Sequence, residues 1–180
     1  MIQRNMTLWL TGRPCSGKTS IAKQLDIELS GRGLHVLQLD GDVVRDGLNK
    51  DLGFSSKDRW ENLRRVAHVC QLFNDNGVFV IATFISPTND LREMVRGIIT
   101  DFKMCYVSCS LEVAEKRDVK GMYKKARMGI IKEFTGISAP FEEPINPDII
   151  VDSQEMSLID CVKYMVGLLE KVKDAREALR

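Results

Sequence analysis

The stretch Gly12-Arg13-Pro14-Cys15-Ser16-Gly17-Lys18-Thr19 follows the pattern G-x-x-x-x-G-K-[ST], the spacing of a loop that grips phosphates. Glycines let such a loop curl until successive backbone N–H groups point at one phosphate cluster. A helix beginning at Lys18 adds its positive dipole end. Lys18 then carries a point charge to the β- and γ-phosphates, and Thr19 a hydroxyl to Mg²⁺. A chance Gly-Lys-Thr turn has no reason to sit between a strand and a helix, and both are predicted here. Gly12 through Thr19 are therefore expected to bind a nucleoside triphosphate.

The use made of that triphosphate depends on the acids. Motor ATPases and GTPases hold Mg²⁺ with an aspartate that ends a second apolar strand. The apolar run Val78 to Ile85 ends in Ser86, and Met104 to Val107 continues into Ser108-Cys109-Ser110, so neither ends in an acid. That argues against a nucleotide-gated regulatory NTPase. Asp40 and Asp42 do follow a strand, His35 to Leu39, and sites in parallel sheets lie beyond the carboxyl ends of strands. Either could orient Mg²⁺-bound water or accept the proton of an attacking hydroxyl. An Asp-Gly turn capping the next segment is the structural alternative.

A second anion site is suggested by the helix expected from about Lys57 to Asn76. Its inward stripe is Leu63, Val66, Ala67, Cys70 and Phe73, at steps of three and four. Continued backwards, the stripe reaches Arg59 and Asn62. Polar groups there should face a cavity, because burial without partners costs several kcal/mol. Arg59, with Arg45 nearby, suits a phosphate or sulfate; otherwise it snorkels to solvent. Phe54 and Phe141 could each stack on a base or belong to the core. Ser86-Pro87 reads as the start of a helix, serine at the cap and proline at the first position, which explains the dipeptide without chemistry. Lys120, Lys124, Lys125 and Arg127 form either a solvated charge run or part of a lid closing over phosphates. His35 and His68 read as framework residues.

The elements that must position these groups alternate along the chain. Strands are expected at Met6 to Leu10, His35 to Leu39, Val78 to Ile85, Met104 to Val107 and Asp148 to Val151. Helices are expected at Lys18 to Leu29, Lys57 to Asn76, Ser86 to about Ile99, from Leu111 to Lys116, and from about Ser157 with a polar tail, Lys173 to Arg180. This is the pattern of an α/β fold, a parallel five-stranded sheet flanked by helices. Asp118 to Pro147 is basic, holds three glycines and three prolines, and reads as a lid. The 180 residues form one domain, long enough to bury roughly 70% of the unfolded surface. A net charge of +1 argues against wrapping nucleic acid. Five cysteines without a Cys-x-x-Cys pair fit free thiols in a reducing cytoplasm, and the apolar start is too short for a signal peptide or a membrane span.

Taken in order, these residues resemble the adenylylsulfate (adenosine 5′-phosphosulfate) kinase family over about residues 6 to 152. The resemblance rests on the phosphate loop, Leu39-Asp40-Gly41-Asp42, Gly47 through Ser55, Arg59 with Glu61-Asn62, Phe84-Ile85-Ser86-Pro87, Lys120 through Arg127, Phe134-Thr135-Gly136-Ile137, and Asn146-Pro147-Asp148. It implies a nucleotide-kinase fold, Mg²⁺ dependence, and transfer of the γ-phosphoryl of ATP to the ribose 3′-hydroxyl of adenylyl sulfate, usually by a homodimer. By this resemblance Asp42, Arg45, Phe54, Arg59, Asn62, Ile85, Ser86 and Lys120 line the acceptor site, and Phe54 and Phe141 sandwich the base. Asp40 matches the proposed catalytic acid, with Thr19 at the metal, and Ser86 matches a serine described as a phosphoserine intermediate. The chain departs from the family's usual residues at Arg13-Pro14-Cys15-Ser16 (commonly Leu-Ser-Gly-Ala), Val43-Val44, Trp60 and Asn89. A related kinase acts on the 3′-hydroxyl of cytidine diphosphoramidate, and two stacking phenylalanines would also accept a pyrimidine.

Overall fold

The structure is a computed structural model that describes residues 2–177, with side chains described as far as residue 171. The predicted polar tail, 173–180, lies outside the described side chains. Five parallel strands form one sheet in the order β2-β3-β1-β4-β5: β1 (Thr7–Thr11), β2 (Val36–Asp40), β3 (Phe79–Thr83), β4 (Phe102–Ser108) and β5 (Ile149–Asp152). Strand side chains alternate between two cores. Leu8, Leu10, Phe79, Ile81, Cys105 and Val107 face one, which α1 (Lys18–Gly31) and α7 (Leu158–Glu177) cover. Trp9, Val80, Ala82, Phe102 and Met104 face the other, covered by α3 (Ser56–Asp75) and α4 (Asn89–Ile98). Burial on both faces is why the strands read as continuous apolar runs. Each such side chain contributes about 1.5–3 kcal/mol on leaving water.

β1 is central, and its neighbours β3 and β4 belong to crossovers on opposite sides. That arrangement opens a crevice at the carboxyl ends of the strands, where the phosphate loop and Asp40 emerge.

Two local expectations are corrected and two are filled in. The stripe of α3 buries Leu63, Val66, Ala67 and Cys70, but Phe73 is 39% exposed and Asn74 is buried in its place. Thr7 Oγ1 donates to Asn74 Oδ1 at 2.7 Å, and Asn74 Nδ2 donates to the Val78 carbonyl at 3.0 Å. The inward position at the helix end thus goes to the residue that can satisfy strand polar groups. Ser86 does not open a helix. It sits at φ +44, and α4 begins only at Asn89, whose N–H donates to Glu142 Oε2 at 2.7 Å. A carboxylate distant in sequence caps that helix. The strand at Asp40 runs straight into α2 (Gly41–Asp46), whose N-cap is Asp40 itself. Finally, the segment 118–147 is not wholly irregular: α6 (Met122–Arg127) lies within it, following α5 (Leu111–Lys116). Three backbone N–H groups at the start of α6 donate to the Asp118 carboxylate.

Candidate active site

The phosphate loop leaves β1 and enters α1 through Gly17, in left-handed conformation at φ +96. A Cβ on Gly12 would press on the Val107 carbonyl oxygen, so only glycine lets the loop pass β4. Cys15 occupies φ +61, a conformation that costs a side-chain-bearing residue roughly 1–2 kcal/mol. The loop is tied from outside. The Tyr123 hydroxyl donates to the Pro14 carbonyl at 3.0 Å, and Ser153 Oγ donates to the Ser16 carbonyl at 2.8 Å. Lys18 folds back over the loop, with Nζ donating to the Gly12 and Arg13 carbonyls at 2.9 and 2.7 Å. Burial pulls its pKa down to about 8, because no anion faces it closely enough to offset the lost hydration.

Asp40 joins the loop to the neighbouring strands. Its Oδ2 accepts the Thr19 and Thr83 hydroxyls, both at 2.9 Å, and its Oδ1 accepts the Asp42 N–H at 3.0 Å. Burial pushes its pKa up, but the Asp42 N–H, the Thr19 and Thr83 hydroxyls and the Lys18 charge outweigh it and hold the carboxylate below its ordinary range. Capping therefore does not occupy the whole carboxylate: Oδ1 caps α2, and Oδ2 faces the Thr19 and Thr83 hydroxyls. Among the described residues no three His, Cys, Asp or Glu side chains gather to hold a metal. A hydroxyl and a carboxylate are nonetheless hard oxygen donors that suit Mg²⁺, an ion that keeps waters and takes phosphate oxygens as ligands. Thr19 and Asp40 could hold it that way.

Across the crevice, Arg45 lies 4.4 Å from the Phe54 ring centroid and Arg59 lies 5.8 Å from it. Phe54 is 58% exposed, so it is not a core residue. Arg45 also donates to the Gly53 carbonyl at 2.9 Å. Arg59 donates to Phe54 O at 2.8 Å, Thr135 Oγ1 at 3.0 Å and Glu133 O at 2.5 Å. It therefore faces protein rather than snorkelling away. Neither arginine forms an ion pair among the described residues. Burial, then the charge of Arg59, lower the Arg45 pKa against opposing pulls from Asp58 and Asp42, as expected where two cations share a hollow and neither is paired closely. Asn62, one turn after Arg59, is buried and accepts from Asn49 Nδ2 at 2.9 Å.

The segment 118–147 meets both sides of the crevice. Lys120 pairs with Asp42 at 2.9 Å, both exposed. Lys124 and Lys125 are exposed, and Arg127 pairs with Glu115. Phe141 packs between Arg13, 4.8 Å from its centroid, Arg92, 5.4 Å away, and the Tyr106 ring. The Ile85 carbonyl accepts the Thr11 hydroxyl at 2.7 Å. Ser86 Oγ, 2% exposed, accepts the Trp9 indole N–H at 2.9 Å. His35 and His68 lie exposed, outside this constellation.

Thr83, Trp9, Asn49 and Arg92 escaped the reading of the sequence. Arg92 is buried to 1% exposure on α4 and donates to the Glu142 carbonyl at 2.6 Å. A buried arginine, a threonine ending β3 and a tryptophan in the middle of β1 carry no spacing signal. Asn49 does lie within the run Gly47 through Ser55 that resembles the family.

A family profile described as adenylylsulphate kinase matches residues 4–152. The chain belongs to the adenylylsulfate kinase family. It is 52% identical over 169 residues to the adenylyl-sulfate kinase of Phocaeicola vulgatus, covering 93% of this chain and 83% of that one. To the adenylyl-sulfate kinase of Emericella nidulans it is 48% identical over 181 residues, covering 95% and 88%. The APS kinase CysC of Mycobacterium tuberculosis, solved in complex with AMPPNP and APS, superposes with a TM-score of 0.89 at 41% identity, over 93% of this chain and 98% of that one. The parallel sheet and flanking helices are those of the family.

Proposed function

We infer that this chain transfers the γ-phosphoryl of ATP to the ribose 3′-hydroxyl of adenylyl sulfate, giving 3′-phosphoadenylyl sulfate. The observation that carries the reading is the hollow opposite the phosphate loop, where Arg45 and Arg59, neither ion-paired among the described residues, flank the exposed Phe54 ring. A ring and two cations fit a nucleotide whose base stacks and whose anionic tail is doubly hydrogen-bonded.

In this reading Gly12 through Thr19 hold the triphosphate and Lys18 neutralises charge on the transferring group. Thr19 and, partly through water, Asp40 would hold Mg²⁺, which would supply Lewis-acid neutralisation of the phosphate oxygens. Asp40 stays ionised at neutral pH, which suits a fixed negative charge beside a cation better than proton removal. A loose transition state leaves little need for a strong base. Asp42, Arg45, Phe54, Arg59, Asn62, Ile85, Ser86, Lys120 and Phe141 receive the acceptor. The Trp9 indole occupies a lone pair of Ser86 Oγ inside a buried pocket, which supports a positioning role for that hydroxyl and direct in-line transfer. Residues 118–147 serve as the lid: Lys120–Asp42, Arg59–Thr135 and Tyr123–Pro14 link them to both sides of the crevice. The five unpaired thiols support a reducing cytoplasm, and the resemblance to the adenylylsulfate kinase family supports a homodimer.

The test is a panel of acceptors with γ-labelled ATP, scored for 3′-phosphorylated product. Adenylyl sulfate should be labelled at least about tenfold more efficiently per unit kcat/KM than AMP, as loss of one charged hydrogen bond requires, and more efficiently than cytidine diphosphoramidate. Preference for the cytidine compound, or ATP hydrolysis without an acceptor, would overturn it.

A further inference from the structure

Asn49 is a fully buried polar residue on the turn between α2 and α3, with 0% exposure. Its backbone N–H donates to the Val44 carbonyl at 2.9 Å, and its carbonyl accepts the Leu52 N–H at 3.0 Å. The turn it anchors is the one whose Leu52 and Gly53 carbonyls receive Arg45 Nη1. Its side chain faces α3, where Nδ2 donates to Asn62 Oδ1 at 2.9 Å and to the Asn62 carbonyl at 3.4 Å. The other end, Asn49 Oδ1, is buried without a hydrogen-bond partner. An orphaned buried acceptor is unfavourable, so a residue chosen only for stability would not be an asparagine in this orientation.

The arrangement has a directional consequence. A carboxamide has one accepting end and one donating end. Asn49 takes the accepting end of Asn62, which leaves Nδ2, a donor, as the end available to a ligand. Asn62 lies three residues after Arg59 on the same helix, and Arg59 and Arg45 share the hollow around Phe54. All three side chains then offer N–H groups and no oxygen. We propose that Asn49 is a positioning residue for the acceptor: it fixes the polarity of Asn62 so that Asn62, like Arg45 and Arg59, turns a donor toward an anionic group. The proposal rests on the acceptor reading given above and adds the residue that enforces its charge selectivity.

The experiment is a double-mutant cycle on the full chain with adenylyl sulfate as the acceptor, measuring KM for acceptor and for ATP, kcat and the thermal midpoint. Asn49→Asp turns an accepting group toward Asn62. Asn62 must then reverse its carboxamide to donate, which puts its oxygen where the ligand's oxygen binds. Acceptor KM should rise about tenfold to a hundredfold, the range for losing a hydrogen bond to a charged group, with the KM for ATP within twofold. Asn62→Ala should raise acceptor KM as well, and Asn49→Asp placed on top of Asn62→Ala should add less than twofold, because the residue it acts through is gone.

An acceptor KM within twofold of the parent in Asn49→Asp overturns the proposal. So does a double mutant whose effects multiply, since a merely structural role is additive. If Asn49→Asp fails to melt cooperatively, Asn49→Leu takes its place in the cycle. It removes the donor and the orphaned oxygen together, and the same criteria apply. If Asn62→Ala itself leaves the acceptor KM unchanged, the acceptor reading falls and the proposal falls with it. An additive cycle on top of a sensitive Asn62 rejects the proposal alone.

Discussion

Adding ATP to this chain at pH 8 should draw protons out of solution. The Lys18 ammonium is 9% exposed, and burial lowers its pKa from 10.5 to about 8 against opposing pulls from Cys109, Cys15, Asp40 and Asp42. Before ATP arrives, its closest partners are two carbonyl oxygens, at 2.9 and 2.7 Å, which are dipoles and not anions. Triphosphate oxygens restore the charged form. At pH 7, 8 and 9 the empty site lacks about 0.1, 0.5 and 0.9 of a proton, and binding should take up about those amounts. ATP contributes little itself, since the last phosphate ionisation lies near pH ~6. Calorimetric titration at one pH in buffers of different ionisation enthalpy counts the protons from the slope of apparent enthalpy. Lys18→Arg, charged at every accessible pH, should bind with no uptake. A zero slope for the parent at pH 8 and 9, or an equal slope in Lys18→Arg, would refute the argument. Stability carries the same sign. The unfolded chain binds more protons between pH 8 and 10.5, so this group's contribution rises across that window, and burying its charge costs about 3 kcal/mol below it.

Two further outcomes follow from the same geometry. Ser86→Ala leaves the buried Trp9 N–H without a partner and should destabilise the fold by about 1–3 kcal/mol. Adding Trp9→Phe should recover part of that loss in denaturant unfolding, whereas full additivity would show that the bond contributes nothing. Asp40→Asn should lower kcat on the order of 100-fold by analogy with lost electrostatic stabilisation. Because the Asp40 pKa lies below 3.8, its contribution to activity and stability persists above that value and is lost only as pH falls through the lower folded one. An activity limb near neutrality that disappears in Asp40→Asn would show that the residue works as a base.

The phosphate loop was legible because its chemistry is local: eight adjacent residues place the amides, the ammonium and the hydroxyl. The strands were legible because a sheet covered on both faces leaves apolar runs bounded by Gly, Asp and Ser. Arg59 and Asn62 were legible one step further, as polar residues continuing an apolar stripe. What failed did so for a common reason. Ser86-Pro87 has the local grammar of a helix start, yet the Trp9 indole claims the serine oxygen and Glu142, from the segment 118–147, caps α4. Phe73 and Asn74 are both within reach of the stripe, and the choice was made by Thr7 and the Val78 carbonyl across the sheet.

Residue types and their spacing sufficed for the α/β class, the triphosphate grip and the family. Those properties arise from neighbours in the chain, whose distances the backbone sets. Which oxygen of Asp40 caps and which meets Thr19 and Thr83, what holds Ser86, and which end of Asn62 meets Asn49 were decided only by folding. Each depends on a partner 13 to 77 residues away, and a hydrogen bond is specified by where two atoms arrive in space, which periodicity along one segment does not encode.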